Sequence, residues 1–181
     1  MDRWTRTHDA LTQAALELFG EHGYDATGTA EIAKRAKVSE MTLFRHFPSK
    51  EALLLTDPFD PLIADAVRAR PDCEPAMHAL AEGIRMTWVE LDSASLRALH
   101  ARLRIIAEAS SLRGAVEHNS METIAALQAA LTDRGYSATS SYVASTAMIS
   151  GLSVALLEWA RSEMTSLDDA LGSALDTLGG R

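Results

Sequence analysis

Cysteine is nearly absent from this chain. Cys73 is the only one in 181 residues, so no intrachain disulfide can form, and a reducing, cytoplasmic compartment is expected. Long hydrophobic runs are missing as well. The start, MDRWTRTHDALTQ, lacks the apolar core of a signal peptide. The greasiest stretch, Ala147 to Leu157, is broken by Ser150, Gly151 and Ser153 and is too short to cross a bilayer, so no membrane association is expected. The six histidines (8, 22, 46, 78, 100 and 118) show no His-x-x-x-His or Glu-x-x-His spacing, which argues against a metal site. There is no Gly-rich phosphate loop and no Gly-x-Ser-x-Gly. Arg97, His100, Arg104 and Glu108 read as solvated ion pairs rather than an acid–base set. Neither enzymatic activity nor a cofactor is expected.

Lysine is scarce too, and its placement is informative. All three lysines, Lys34, Lys37 and Lys50, lie in one short stretch of a chain whose net charge is −8. Residues 34–50 carry these lysines with Arg35 and Arg45 against the single carboxylate of Glu40, a net of +4, whereas residues 51–181 hold ten Arg and eighteen acids, a net of −8. A compact cationic patch on an acidic body steers phosphate to one face and discourages indiscriminate coating of nucleic acid.

What fills the rest is helix. Apolar residues make up 47% of the chain, with many Ala and Leu and few β-branched runs, which favours an all-α fold. Leu11, Ala14, Ala15, Leu18 and Phe19 recur at helical spacing, predicting a helix over about 6–21 that Gly23 ends as a left-handed cap. A short helix over 29–36 buries Ile32, Ala33 and Ala36. Ser39 is a natural N-cap for a helix over 40–46, which Pro48 stops, and Ser49 caps the next. Asp57-Pro58 and Asp60-Pro61 mark a boundary. A helix to about Arg70 follows, then one with Met77, Leu80, Ala81, Ile84, Trp88 and Leu91 on its face, and one with Leu96, Leu99, Leu103 and Ile106. Helices over about 112–133, 139–163 and 167–178 close the chain, the last with Ser166 and Asp169 as a capping pair. Two domains are expected: a three-helix helix-turn-helix domain at 1–55 and a helical ligand-binding and dimerisation domain at 56–181.

From residue 10 to 55 the motifs share a fixed register. Leu18-Phe19 and Gly23-Tyr24 are followed by Glu31-Ile32-Ala33, Val38-Ser39, Thr42-Leu43, Phe44, His46-Phe47, Ser49-Lys50-Glu51 and Leu53-Leu54. This segment resembles the DNA-binding domain of TetR-type (tetracycline-repressor family) transcriptional regulators. The resemblance implies an all-α homodimer that binds double-stranded DNA at an inverted-repeat operator, probes it with residues 40–46 and answers to a small effector. Among its DNA-binding residues, Thr29, Thr42, Phe44, His46 and Lys50 correspond to backbone-contacting positions, and Met41, Thr42 and Arg45 lie nearest the bases; Lys37 and Ser39 belong to the same surface. Arg45, the only long fork donor of that helix, suits guanine, and Lys50 at a helix start suits phosphate. Three positions depart from the family. Lys37 stands where a turn glycine is usual, Phe44 where a tyrosine hydroxyl usually reaches phosphate, and Gly28 where Ser or Thr usually caps, leaving Thr27 or Thr29 to do so.

In the second domain, Ile84, Trp88, Leu99, Leu103, Ile106, Met121, Ile124 and Trp159 are the candidate lining of an effector pocket for a small apolar or amphipathic molecule, with Ala81 beside it and Arg85 or Arg102 at its edge. Val143, Ala147, Ser150, Val154 and Leu157 form one of two apolar faces on the 139–163 helix and are the candidate dimer interface. The expected function is a homodimeric repressor released by its ligand. The alternative is a helical small-molecule-binding or enzyme-like protein whose DNA-binding domain no longer functions.

Overall fold

The computed structural model describes residues 2–55, 60–87, 93–162 and 166–180, and every regular element among them is helical, as expected. In order these are α1 (Arg3–His22), α2 (Thr29–Arg35), α3 (Glu40–His46), α4 (Ala52–Leu55), α5 (Asp60–Arg68), α6 (Ala76–Thr87), α7 (Ser93–Glu108), a 3₁₀ turn (Ser110–Leu112), α8 (Arg113–Asp133), α9 (Ala138–Arg161) and α10 (Leu167–Gly179). The chain divides into two compact units, Met1–Thr56 with Asp92–Val116, and Asp57–Leu91 with Glu117–Arg181. Residues 92–116, which the sequence reading gives to the second domain, thus belong to the first unit. The reason is packing: Ile105, Ala109 and Leu112 join the cluster built on Leu11, Leu18, Leu43 and Leu54.

In the first unit α1 begins at Arg3, ahead of the start expected at about residue 6. Asp2 accepts from the Thr5 amide at 2.8 Å and so satisfies one of the orphan donors of the first turn. Gly23 ends the helix with φ 85, its N–H donating to the Phe19 carbonyl at 2.9 Å; a positive φ there needs glycine, although ψ is extended rather than left-handed helical.

The second unit packs α5, α6, α9, α10 and most of α8. At Gly83 a Cβ would stand 2.6 Å from the Val67 side chain, so α5 approaches α6 as closely as it does only because that side chain is missing. Ala81 is buried against α10, where a Cβ at Gly179 would lie 3.0 Å from its own. It fills a helix contact. Arg85 is likewise engaged, donating to Asp176 at 2.6 Å and to the Gly172 carbonyl at 3.4 Å. Arg134 donates to the carbonyls of Arg70 and, at 2.8 Å, of Pro71, and Tyr136 Oη donates to the Glu74 carbonyl at 2.8 Å. Together they tie the turn after α8 to the loop before α6.

α9 starts on Ser137, which accepts from the Ser140 amide at 3.1 Å, and α10 on Ser166, which accepts from Asp169 N–H at 3.0 Å as the capping pair predicts. One face of α9 (Ser141, Ser145, Met148, Leu152, Trp159) is buried, and the helix packs on α6 and α10. The other carries Val143 at 61% and Val154 at 63% exposure. Among the described residues α9 is also the one helix long and apolar enough to cross a bilayer, its most apolar window having a mean hydropathy of 1.4. Ser141 and Ser145 face the protein core, whereas Ser140 and Ser150 are exposed.

Candidate nucleic-acid interface

The site is built on α2, the turn after it and α3. α2 begins at Gly28 without any side-chain cap. Neither threonine supplies one. Thr27 is buried and donates to the Gly23 carbonyl at 2.9 Å, and Thr29 donates to the Glu40 carboxylate at 2.5 Å, tying the start of α2 to the start of α3. α2 ends in a Schellman motif: Lys37 N–H donates to Lys34 O at 3.1 Å and Val38 N–H to Ala33 O at 2.9 Å. This puts Lys37 at φ 58, the only positive φ outside glycine among the described residues. A side chain there costs about 1 kcal/mol. Lys37→Gly is therefore expected to raise stability by about that amount in denaturant titration, while any DNA affinity contributed by the Lys37 ammonium falls. An unchanged midpoint would contradict the strain.

Ser39 caps α3 as expected, accepting from Thr42 N–H at 3.1 Å, with its hydroxyl 2.9 Å from that of Thr42. Leu43 and the following Phe47 anchor the helix in the core. The period of 3.6 then turns Met41, Phe44 and Arg45 outward, Met41 at 83% and Phe44 at 47% exposure. Lys34 and Lys37 are exposed beside them.

Three cations and rings of the expected surface are committed elsewhere. Arg35 pairs with Glu21 at 2.9 Å and Glu17 at 3.3 Å on α1. Lys50, expected to be available to phosphate, donates to the carbonyls of Tyr24 at 2.8 Å and Thr27 at 3.0 Å, with its Nζ 4.0 Å from the centre of the Tyr24 ring. The His46 ring stacks on Trp4 with centroids 3.7 Å apart, and His8 stacks on Phe47 at 4.2 Å. Trp4 was not among the expected residues; the Trp4–His8–Leu11 spacing, which continues the buried face of α1 toward its start, is the signal that would have found it.

Burial holds the His46 pKa below its ordinary value, and the nearby His8 and Arg45 push in the same direction. With the folded pKa depressed, the unfolded chain takes up a proton that the folded chain resists, so this group removes stability as pH falls through its ordinary value of about 6.5. Stability is expected to drop between about pH 7 and pH 5, and His46→Phe, which keeps a ring against Trp4, should flatten that part of the profile. An identical profile in the variant would exclude His46 as its source.

Of the candidate effector residues, Ile84, Ile124 and Trp159 are buried in the second unit, whereas Leu99, Leu103 and Ile106 belong to the first. Met121, expected to line the pocket, stands 61% exposed on α8. Trp88 lies outside the described residues. The candidate dimer residues Val143, Ala147, Ser150 and Val154 are exposed and Leu157 is half-buried.

Residues 11–56 match the family model described as bacterial regulatory proteins, tetR family. The chain is 39% identical over 82 residues to the HTH-type transcriptional regulator TcmR of Streptomyces glaucescens, a match that spans 44% of this chain but only 36% of that protein. It is 28% identical, over 98% of this chain and 91% of the relative, to a Mycobacterium tuberculosis protein named as a mycofactocin biosynthesis transcriptional regulator, MftR. Among solved structures, the regulator FadR of Bacillus subtilis in complex with stearoyl-CoA aligns over 94% of this chain and 96% of its own with a TM-score of 0.62. At 20% identity that likeness is one of fold.

Proposed function

Because the chain belongs to the tetR family of bacterial regulatory proteins, we propose that it is a sequence-specific DNA-binding repressor. It acts in the cytoplasm as a homodimer on an inverted-repeat operator and is released by a small apolar or amphipathic effector. The observation that carries the DNA reading is α3 itself, a capped helix whose inner face is locked by Leu43 and Phe47 while Met41 and Arg45 face outward. Such a helix enters the major groove with its N-terminal side chains at the base edges. Met41 suits a thymine methyl, and Arg45 suits the two acceptors of guanine. Ser39, Thr42 and Lys37 flank them at phosphate.

An effector changes operator affinity only if it binds the two states of the protein unequally. The stearoyl-CoA bound to the FadR neighbour supports an amphipathic class of ligand. The reading in which DNA binding has been lost draws on Phe44, which cannot donate to phosphate, and on the internal partners of Arg35 and Lys50.

One experiment separates the two readings: selection of duplexes from a randomised pool, followed by mobility shift with wild type and Arg45→Ala. The variant is expected to relax specificity at one base pair of each half-site by about 1–3 kcal/mol. Failure of the wild-type chain to enrich any sequence would favour lost DNA binding. Equal weakening of Arg45→Ala on every sequence would move Arg45 from bases to backbone.

A further inference from the structure

Of the five cations at residues 34–50, Arg35 is paired with Glu17 and Glu21, and Lys50 is held on two carbonyls inside its own unit. That leaves Lys34, Lys37 and Arg45 facing solvent, a thin cationic surface on a chain of net charge −8. Within residues 1–56, two further cations lie outside this stretch. Arg3 and Arg6 occupy the first two turns of α1 and are exposed. Between them Trp4 stacks on His46 at the end of α3, with ring planes 23° apart, and one turn later His8 stacks on Phe47. The start of α1 is thereby fastened to the end of the helix that presents Phe44 and Arg45. Half of Trp4 stays open to solvent beside that contact.

Resting on the DNA-binding reading above, we propose that the first two turns of α1 form part of the DNA footprint. Arg3 and Arg6 contact phosphates that flank the bases read by α3, and Trp4 sets their position through His46. The geometry permits it. Residues one and two places from Trp4 have their Cα atoms within about 6 Å of its own, and an extended arginine reaches roughly as far again. Consecutive phosphates of one strand advance about 3.4 Å along the duplex, so two neighbouring anions fall within that span. The charge of Asp2 opposes them, but its carboxylate is occupied by the amide and hydroxyl of Thr5. Beyond His8 the exposed charges of α1 are acidic, at Asp9, Glu17 and Glu21, so only this end of the helix suits phosphate.

The test counts released counterions. Affinity is measured against salt for the full chain on a random-sequence duplex and on the duplex that wild type selects from a randomised pool. Arg3→Ala/Arg6→Ala is expected to reduce the slope of log affinity against log salt by about 1.8 per bound chain, at about 0.9 per phosphate contact. The preference for the selected duplex should persist, because phosphate contacts carry no sequence information. Arg3→Lys/Arg6→Lys should restore most of the slope, and Arg97→Ala, an exposed arginine on α7, should leave it unchanged. An unchanged slope in the double-alanine variant overturns the proposal. So does an equal reduction in Arg97→Ala, which would show a general field rather than contacts. A wild-type chain that binds neither duplex overturns the parent reading as well, a result distinct from the other two.

Discussion

Val154→Glu is expected to leave the chain monomeric at micromolar concentration and to weaken operator binding by about a hundredfold or more. Val154 is 63% exposed on α9, in line with Val143, Ala147, Ser150 and Leu157 at intervals of three and four residues. An apolar stripe of this length on a helix whose opposite face is already buried has a partner to find. In a two-fold contact the stripe meets its own copy, so one substitution sets two carboxylates against an apolar surface. The loss in DNA affinity follows from linkage. Joining two half-site readers raises binding by about 10²–10⁴ over either alone, and a monomer forfeits that factor. Sedimentation and mobility shift of the variant check the two halves separately. A wild-type chain that sediments as a monomer would remove the basis of the prediction. A Val154→Glu chain that stays dimeric with full operator affinity would move the interface off this face.

Lys50→Ala is expected to lower stability by roughly 2–3 kcal/mol, which for a chain of this size is about 5–10 °C in melting temperature. The substitution removes two charge-assisted hydrogen bonds, leaves the Tyr24 and Thr27 carbonyls without those donors, and removes a cation from the Tyr24 ring. It also unties the α1–α2 connection from the start of α4, so DNA affinity falls through loosening of the domain as well as through lost charge. Lys50→Arg separates the contributions: it keeps the charge but not the compact ammonium geometry, and should recover only part of the stability. A Lys50→Ala chain with unchanged melting temperature and uniformly reduced affinity for all duplexes would return Lys50 to the phosphates.

Much of the local geometry of α2, the turn and α3 was legible in the sequence. Ser39 before a short run with Leu43 and Phe47 at helical spacing announces a capped helix with those two residues inward, and Met41 and Arg45 follow outward by the same period. The turn glycine usual in the family that the segment resembles pointed to a positive φ at Lys37, and its φ is 58. The start of α1 was less visible, since polar residues such as Arg3 and Arg6 carry no apolar period and Asp2 acts as a cap only if the helix reaches it. The effector site was the least legible. An apolar position on a helix reads the same whether it meets a ligand, a filled core or solvent, and Ala81 and Met121 fell into the last two classes.

The sequence by itself determined the helices, their caps at Ser39 and Ser166, and the inward and outward faces of α3, because each depends on neighbours three or four residues away. Only the tertiary structure decided which cations remain for DNA. The partners of Lys50 lie 26 and 23 positions away along the chain, and those of Arg35 lie 18 and 14 away. Only the fold brings these groups to within hydrogen-bond distance, and at that range a buried carbonyl or a carboxylate holds a cation that the sequence alone would count as free. The same holds for α7, whose apolar face fits either unit by periodicity and joins the first because Ile105, Ala109 and the following Leu112 complete the core around Leu11 and Leu54.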